Sequence, residues 1–205
     1  SLNNINLPDS ITEIGTYAFG DCTLLESIDL HEGITTIGGL AFKNCKALEE
    51  VTIPSSLVNA ATNGYNNGIF NGCDNLRKVT FAEGTLKIPN EILEDASAVT
   101  NIIIPKGITA IGSHAFYACA SLENIVLPEA VTSIGNYAFG NCASLKNIII
   151  PKSVKTIGNY AFQNCSSLEW CSIENDNISM SNSSFSNCPE LYINCNEDSD
   201  TILSV

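Results

Sequence analysis

The chain has 205 residues, 44% of them hydrophobic and 15% charged, with a formal net charge of −13. A chain this apolar can bury a core and does not have the composition of a disordered one. Its acidity repels phosphate backbones, which sets nucleic acid aside as a partner, and no apolar run approaches the ~20 residues that a membrane span needs.

The charge is unevenly spread: residues 1–50 carry eight acidic and two basic side chains, whereas 101–150 carry two of each. The chain opens in mid-pattern, at SLNNINLP, without a basic stretch followed by an apolar one. A mature segment, or a piece of a longer protein, is therefore expected.

From Ile11 onward the sequence repeats itself. ITEIGTYAFGDCTLLESIDLHEG runs from Ile11 to Gly33, and the same pattern returns as ITAIGSHAFYACASLENIVLPEA (Ile108 to Ala130) and VTSIGNYAFGNCASLKNIIIPKS (Val131 to Ser153). The shared form is I-T-x-I-G-x-x-A-F-x-x-C-x-x-L-x-x-I-x-L-P-x-x. Phe19, Phe42, Phe70, Phe116, Phe139, Phe162 and Phe185 fill one column, and Cys22, Cys45, Cys73, Cys119, Cys142, Cys165 and Cys188 another. In chain order, the first irregularity is the 28-residue step from Phe42 to Phe70. It places an inserted loop near 58–68, where NAATNGYNNG has loop composition. The next is TLKIPNEILEDASAVTNIIIPKG, which keeps the length but has Leu93 for Phe and Ala96 for Cys. The last unit, NISMSNSSFSNCPELYINC, drifts from the pattern and leads into a cap and tail at about 189–205.

Each unit has three parts. L-x-x-I-x-L-P, as in Leu122, Ile125, Leu127 and Pro128, alternates buried and open positions and stops at proline, which reads as a strand. I-T-x-I-G reads as a second short strand, ended by a glycine free to take positive φ. The spacing of x-x-A-F-x-x-C-x-x-L predicts one or two turns of helix. No single unit can bury its apolar face, so the units must stack. With ~4.8 Å between coils, about eight of them would make a sheet ~40 Å long. The expected fold is an α/β repeat solenoid: a right-handed, strand-rich superhelix forming one domain over 1–205, with a continuous parallel sheet on one face and short helices or turns on the other.

L-x-x-I-x-L-P followed by I-x-x-I-G-x-x-A-F-x-x-C-x-x-L resembles the BspA-like leucine-rich repeat, from Leu2 to about Cys195. The resemblance implies a leucine-rich-repeat fold. It also implies a surface-exposed or secreted protein of host-associated bacteria or of protists such as trichomonads. Members are linked to adhesion to host matrix proteins and to co-aggregation of cells. Extracellular or cell-surface localisation is expected on that ground alone.

Nine cysteines in such a chain invite a disulfide reading. Seven of them recur once per coil at one position, where stacked side chains run parallel instead of converging, so a buried ladder of free thiols is expected. Cys171 replaces a strand isoleucine and reads as core. Cys195, near Cys171 and Cys188 in the last coil, is the one position where a disulfide stays open. No C-x-x-C spacing supports a metal site, and no cofactor is expected. His31 and His114 read as variants of solvent-facing columns, without the recurring partner that acid–base chemistry needs. There is no nucleophile elbow and no phosphate loop. The acidic NEDSD at 196–200 reads as a solvated terminus. An enzyme is not expected.

A solenoid's partner usually meets its extended open surface. Two open strand columns run past the buried ones. The second half of that face shows an apolar strip, Ile103, Val126 and Ile149, beside Asn101, Asn124 and Asn147, with Trp170 following on. These seven are the candidate partner-binding residues, because contiguous exposed apolar side chains with an aromatic mark interaction sites. The ordinary preference of strands for β-branched residues is the alternative account. Tyr17, Tyr137 and Tyr160 suggest a second patch on the opposite side, or a cap on the helical segment. The expected function is a non-enzymatic adhesion module for a protein or glycoprotein, including host extracellular matrix. The alternative is a structural spacer or self-association domain.

Overall fold

The computed structural model describes residues 3–61 and 67–195, with the side chains of Ala61 and Cys195 outside the described set. Sixteen short strands, numbered here in chain order, fall into two parallel stacks. The L-x-x-I-x-L stack holds β1 (Asn4–Ile5), β3 (Ser27–Ile28), β5 (Glu50–Ile53), β7 (Lys78–Phe81), β9 (Asn101–Ile103), β12 (Asn147–Ile150), β14 (Trp170–Ile173) and β16 (Tyr192–Cys195). The T-x-I-G stack holds β2 (Glu13–Ile14), β4 (Thr36–Gly38), β6 (Asn59–Ala61), β8 (Lys87–Ile88), β10 (Ala110–Ile111), β11 (Ser133–Ile134), β13 (Thr156–Ile157) and β15 (Ser179–Met180). Each strand pairs with its equivalent in the adjoining coil: Ser133 faces Thr156, and Asn147 faces Trp170. Across the insertion the pairing holds as Glu50 with Lys78, so the added residues leave the register of that stack intact.

Between the stacks lies one apolar core. Strand residues alternate outward and inward, as in Glu50, Val51, Thr52 and Ile53. The third side is where the expected helix fails to form: among the described residues there is no helix, so the α/β expectation gives way to a β-solenoid. The backbone explains why. Phe19 sits between two left-handed residues, Tyr17 (φ 60°) and Asp21 (φ 59°). The same pair of left-handed positions brackets residue 42 (Leu40, Asn44), 93 (Glu91, Asp95), 116 (His114, Ala118), 139 (Tyr137, Asn141) and 162 (Tyr160, Asn164). Left-handed φ at every fourth residue interrupts any α-helix. The N–H groups then alternate. Those of Tyr17, Phe19 and Asp21 donate to Gly39, Ala41 and Lys43 of the next coil at 3.2, 2.8 and 2.7 Å, while those of Ala18, Gly20 and Cys22 close turns onto the residue three back. A helix would turn every donor inward; here half of them bind neighbouring coils together.

The glycine that closes I-T-x-I-G also has a different purpose from the expected one. Positive φ occurs at Gly72 and Gly84, not in this column. A Cβ at Gly38, Gly112, Gly135 or Gly158 would stand 2.4–2.6 Å from a backbone nitrogen of the preceding coil. Close approach of backbones, not left-handed geometry, selects glycine there.

Two side-chain columns bind the coils. Phenylalanine rings stack at centroid distances of 5.3 Å (Phe19–Phe42), 5.4 Å (Phe42–Phe70), 5.1 Å (Phe139–Phe162) and 4.9 Å (Phe162–Phe185). Where Leu93 interrupts the column, Phe81 replaces the usual strand aliphatic. Its ring meets Phe116, two coils on, edge-to-face at 6.4 Å. With coils ~4.8 Å apart, a ring that meets another two coils on must reach across the layer of the leucine coil.

The cysteines form the expected ladder of free thiols at Cys22, Cys45, Cys73, Cys119, Cys142, Cys165 and Cys188, and Cys171 is buried in the core. Their role is more specific than filler. Each ladder thiol from Cys45 to Cys188 donates to a carbonyl of the coil before: Cys45 to Phe19, Cys142 to Phe116 and Cys165 to Phe139, each at 3.2 Å. Burial pushes the Cys119 thiol well up and that of Cys142 up to about 12, so neither supplies a thiolate near neutrality. The Cys195 side chain and the NEDSD segment lie outside the described residues.

The expected continuous sheet is instead segmented. The L-x-x-I-x-L stack forms three pieces, β1–β3, β5–β7–β9 and β12–β14–β16, the last extended by a single bridge from Asn147 to Asn124. The T-x-I-G stack parts once, between β6 and β8, at the inserted loop.

Candidate strand-face interface

Alternation along each strand puts the candidate residues on one face. Asn101 and Ile103 flank buried Ile102, Asn124 and Val126 flank buried Ile125, and Asn147 and Ile149 flank buried Ile148. Ile103 is 44% exposed, Ile149 51% and Val126 83%. The register continues the first column from Asn147 to Trp170, which is half-buried. All seven candidates thus share the strand face. Val126 stands out most because it lies at the parting between sheet pieces, where residues 125–127 belong to no strand. The two edges bound a groove of about 750 Å³, lined by Ile103, Ile104, Val126, Leu127 and Pro128, with Lys106 and Glu129 at its rim.

The same face differs toward the N-terminus. A smaller groove of about 310 Å³ at the β3–β5 parting is lined by polar residues that include Ser27, Asp29, Glu50 and Thr52. Exposed ion pairs, Lys78 with Glu50 (3.0 Å) and Lys146 with Glu123 (2.7 Å), edge the strands. The Glu123 carboxylate holds the Lys146 ammonium above its ordinary range. Such exposed pairs add little stability.

Sequence reasoning missed Tyr192. It is 58% exposed and faces Trp170 in register, extending the first open column by one coil. Aligning YINC with WCSI reveals it, but the drift of the last coil hides that alignment.

On the turn face the structure rearranges expectation more. Tyr137 and Tyr160 stack at 4.9 Å, and His114 lies 4.9 Å from Tyr137 and 5.1 Å from Tyr117. Tyr17 stands apart, bonded through its hydroxyl to Asp21. These rings cap no helix; Tyr17, His114, Tyr137 and Tyr160 occupy left-handed turn positions. His114 is not the solvent-facing residue expected: its side chain is 15% exposed and its Nδ1 lies 3.9 Å from the buried Glu94 carboxylate. Burial lowers the His114 pKa and raises those of Glu91 and Asp95 nearby. His31 serves the backbone, its Nδ1 accepting from the Gly33 N–H at 3.0 Å with Nε2 3.2 Å from the Pro8 carbonyl. Among the described residues no three His, Cys, Asp or Glu side chains converge as metal ligands, and no helix is long and apolar enough to cross a membrane.

The BspA type leucine rich repeat region model matches residues 1–98 and 86–204, in six copies. The chain belongs to the BspA-type leucine-rich-repeat family. Solved relatives agree. A leucine-rich repeat protein from Bacteroides ovatus is 30% identical with a TM-score of 0.76, the alignment covering 93% of this chain and 49% of that one. A Treponema pallidum leucine rich repeat protein is 29% identical at a TM-score of 0.61, covering 72% and 69%. The pneumococcal vaccine antigen PcpA shares the fold at 24% identity and a TM-score of 0.50, covering 99% and 58%. This chain spans about half the length of the Bacteroides ovatus protein. No curated protein sequence matches it. Within the family pattern, the BspA-type column residues Phe and Cys are buried from Phe42 and Cys45 on and partly buried at Phe19 and Cys22, and the open strand columns vary from coil to coil.

Proposed function

We propose that this BspA-type array is a non-enzymatic recognition module, displayed at a cell surface or secreted, that binds a protein or glycoprotein partner on its strand face. The observation that carries the reading is the exposed ridge Ile103–Val126–Ile149 across the groove between sheet pieces. Valine side chains belong in the interior, and a contiguous exposed apolar ridge beside polar amides is the makeup of an interaction site. The setting supports it: residues 101–150 carry as many basic as acidic side chains in a chain of net charge −13. A partner therefore meets no strong repulsion there. Membership of a leucine-rich-repeat family, and a fold shared with a vaccine antigen, fit a displayed binding module.

The test is capture from a panel of host extracellular matrix proteins by wild type and Val126→Asp side by side. Val126 packs against little, so the variant stays folded and its melting curve overlays wild type. Loss of a specific captured protein supports the reading. Equal capture of every protein by both overturns it.

A further inference from the structure

The open columns change character toward the C-terminal coils. The first column reads Asn101, Asn124, Asn147, Trp170 and Tyr192, and the second Ile103, Val126, Ile149, Ser172 and Asn194. Apart from the Tyr192 phenol, none of these ten side chains ionises, although the same columns earlier hold Asp29, Glu50 and Lys78. Trp170, the chain's one tryptophan, takes the place that asparagine holds in the three preceding coils, and exposed Tyr192 lies beside it on the neighbouring strand.

We infer that the strand face of β12, β14 and β16, centred on Trp170 and Tyr192 with Asn147 and Ser172, is a subsite for a neutral glycan. This rests on the strand face being the binding face. Three features select that ligand class. First, β14 at the centre of the patch is paired on both edges, with β12 and with β16, so at Trp170 itself an extended peptide cannot add a strand. Recognition there is through side chains alone. Second, the two open columns carry no charge here, with Lys146 and Glu169 of opposite sign only at their edge, which leaves an ionic ligand's charges unmatched and suits a ligand that carries none. Third, the side chains on offer are aromatic faces beside an amide that both donates and accepts and a hydroxyl that does the same. A sugar ring has the complementary makeup, an apolar C–H face to lie on a ring and a rim of hydroxyls to exchange hydrogen bonds with amides.

The lone tryptophan supplies the readout. Neutral tri- and tetrasaccharides of glucose, galactose, mannose and N-acetylglucosamine are titrated into the whole chain while Trp170 emission is followed, with sialylated and sulfated oligosaccharides in parallel. The expected result is a saturable emission change with at least one neutral series, weakened about tenfold in Tyr192→Ala and unaffected by Tyr160→Ala on the turn face. Because Tyr192 is exposed, its replacement leaves the fold intact, and Asn147→Ala gives an independent variant on the adjoining strand. Preference for the sialylated or sulfated series overturns the neutral assignment. No emission change with any sugar, while Val126→Asp still abolishes protein capture, overturns the subsite and leaves the wider reading standing. No emission change together with Val126-independent capture overturns both.

Discussion

The leucine at position 93 invites a repair that the structure says will fail. Every other described coil has phenylalanine in that column, so Leu93→Phe restores the repeat and, read from sequence, should extend the ring stack from Phe70 to Phe116. The space is already taken. Leu93 is fully buried, and the Phe81 ring crosses that layer to meet Phe116 at 6.4 Å. Adding a ring to a filled core costs about 1–3 kcal/mol. In a chain of this size each kcal/mol moves the melting temperature by about 2–4 °C. The single variant should therefore melt several degrees below wild type. Phe81→Leu alone leaves a cavity and loses less than the ~3–5 kcal/mol of a Phe→Ala change. The double variant Phe81→Leu/Leu93→Phe exchanges the volumes and should recover most of both losses, with a coupling of about 0.5–3 kcal/mol between the two sites. Thermal and urea unfolding followed by circular dichroism measure all four proteins. A rise in melting temperature for Leu93→Phe alone, or strict additivity in the double variant, would refute the reasoning.

The other predictions concern the ladders and the turn face. Gly135→Ala places a Cβ about 2.5 Å from the Ser113 nitrogen and should destabilise by about 1–3 kcal/mol, although its φ is not left-handed, as equilibrium unfolding will show. With a thiol reagent at pH 8, Cys22 should label first among the described cysteines, and Cys119, Cys142 and Cys165 only as fast as the protein unfolds; mass spectrometry of the labelled peptides reads the order. Fast native labelling of Cys142 would contradict the buried ladder. For His114, burial lowers the folded pKa below the unfolded value of about 6.5. Its contribution to stability is then full above that value and is lost as pH falls through the folded pKa. Wild type should lose stability between pH 7.5 and 5.5 more steeply than His114→Gln, as melts at the two pH values would show. Raised Glu91 and Asp95 act with the opposite sign, favouring the folded state at lower pH, and belong to a more acidic window.

The repeat was legible because identical coils must meet identical neighbours, so core columns recur at fixed spacing. Phe139, Cys142 and Ile148 are buried as the columns require. The helix was not legible as absent, because apolar residues three apart describe a succession of hydrogen-bonded turns as well as they describe a helix. What separates the two is the left-handed φ at positions such as Tyr137 and Leu40, and neither residue type announces it. The glycines misled for a related reason: sequence shows that a side chain is excluded, not whether φ or a neighbouring backbone excludes it. Of the candidate face, the exposure of Ile103, Val126 and Ile149 followed from alternation alone. The parting of the sheet at 125–127 did not, since those residues carry the same motif as their paired neighbours. The embedding of His114 beside Glu94 was hidden because it depends on one coil's departure from the pattern.

The central claim is that the strand face, at the groove beside Val126, is where a partner binds. Amide hydrogen exchange on the chain alone and bound to a matrix protein it captures tests this directly, because residues 125–127 lie outside any ladder and their amides should exchange readily in the free chain. The account predicts new protection on the strand face, at 101–104, 124–127 and 147–149. Protection on the turn face instead, at 113–118 and 136–141, would contradict it.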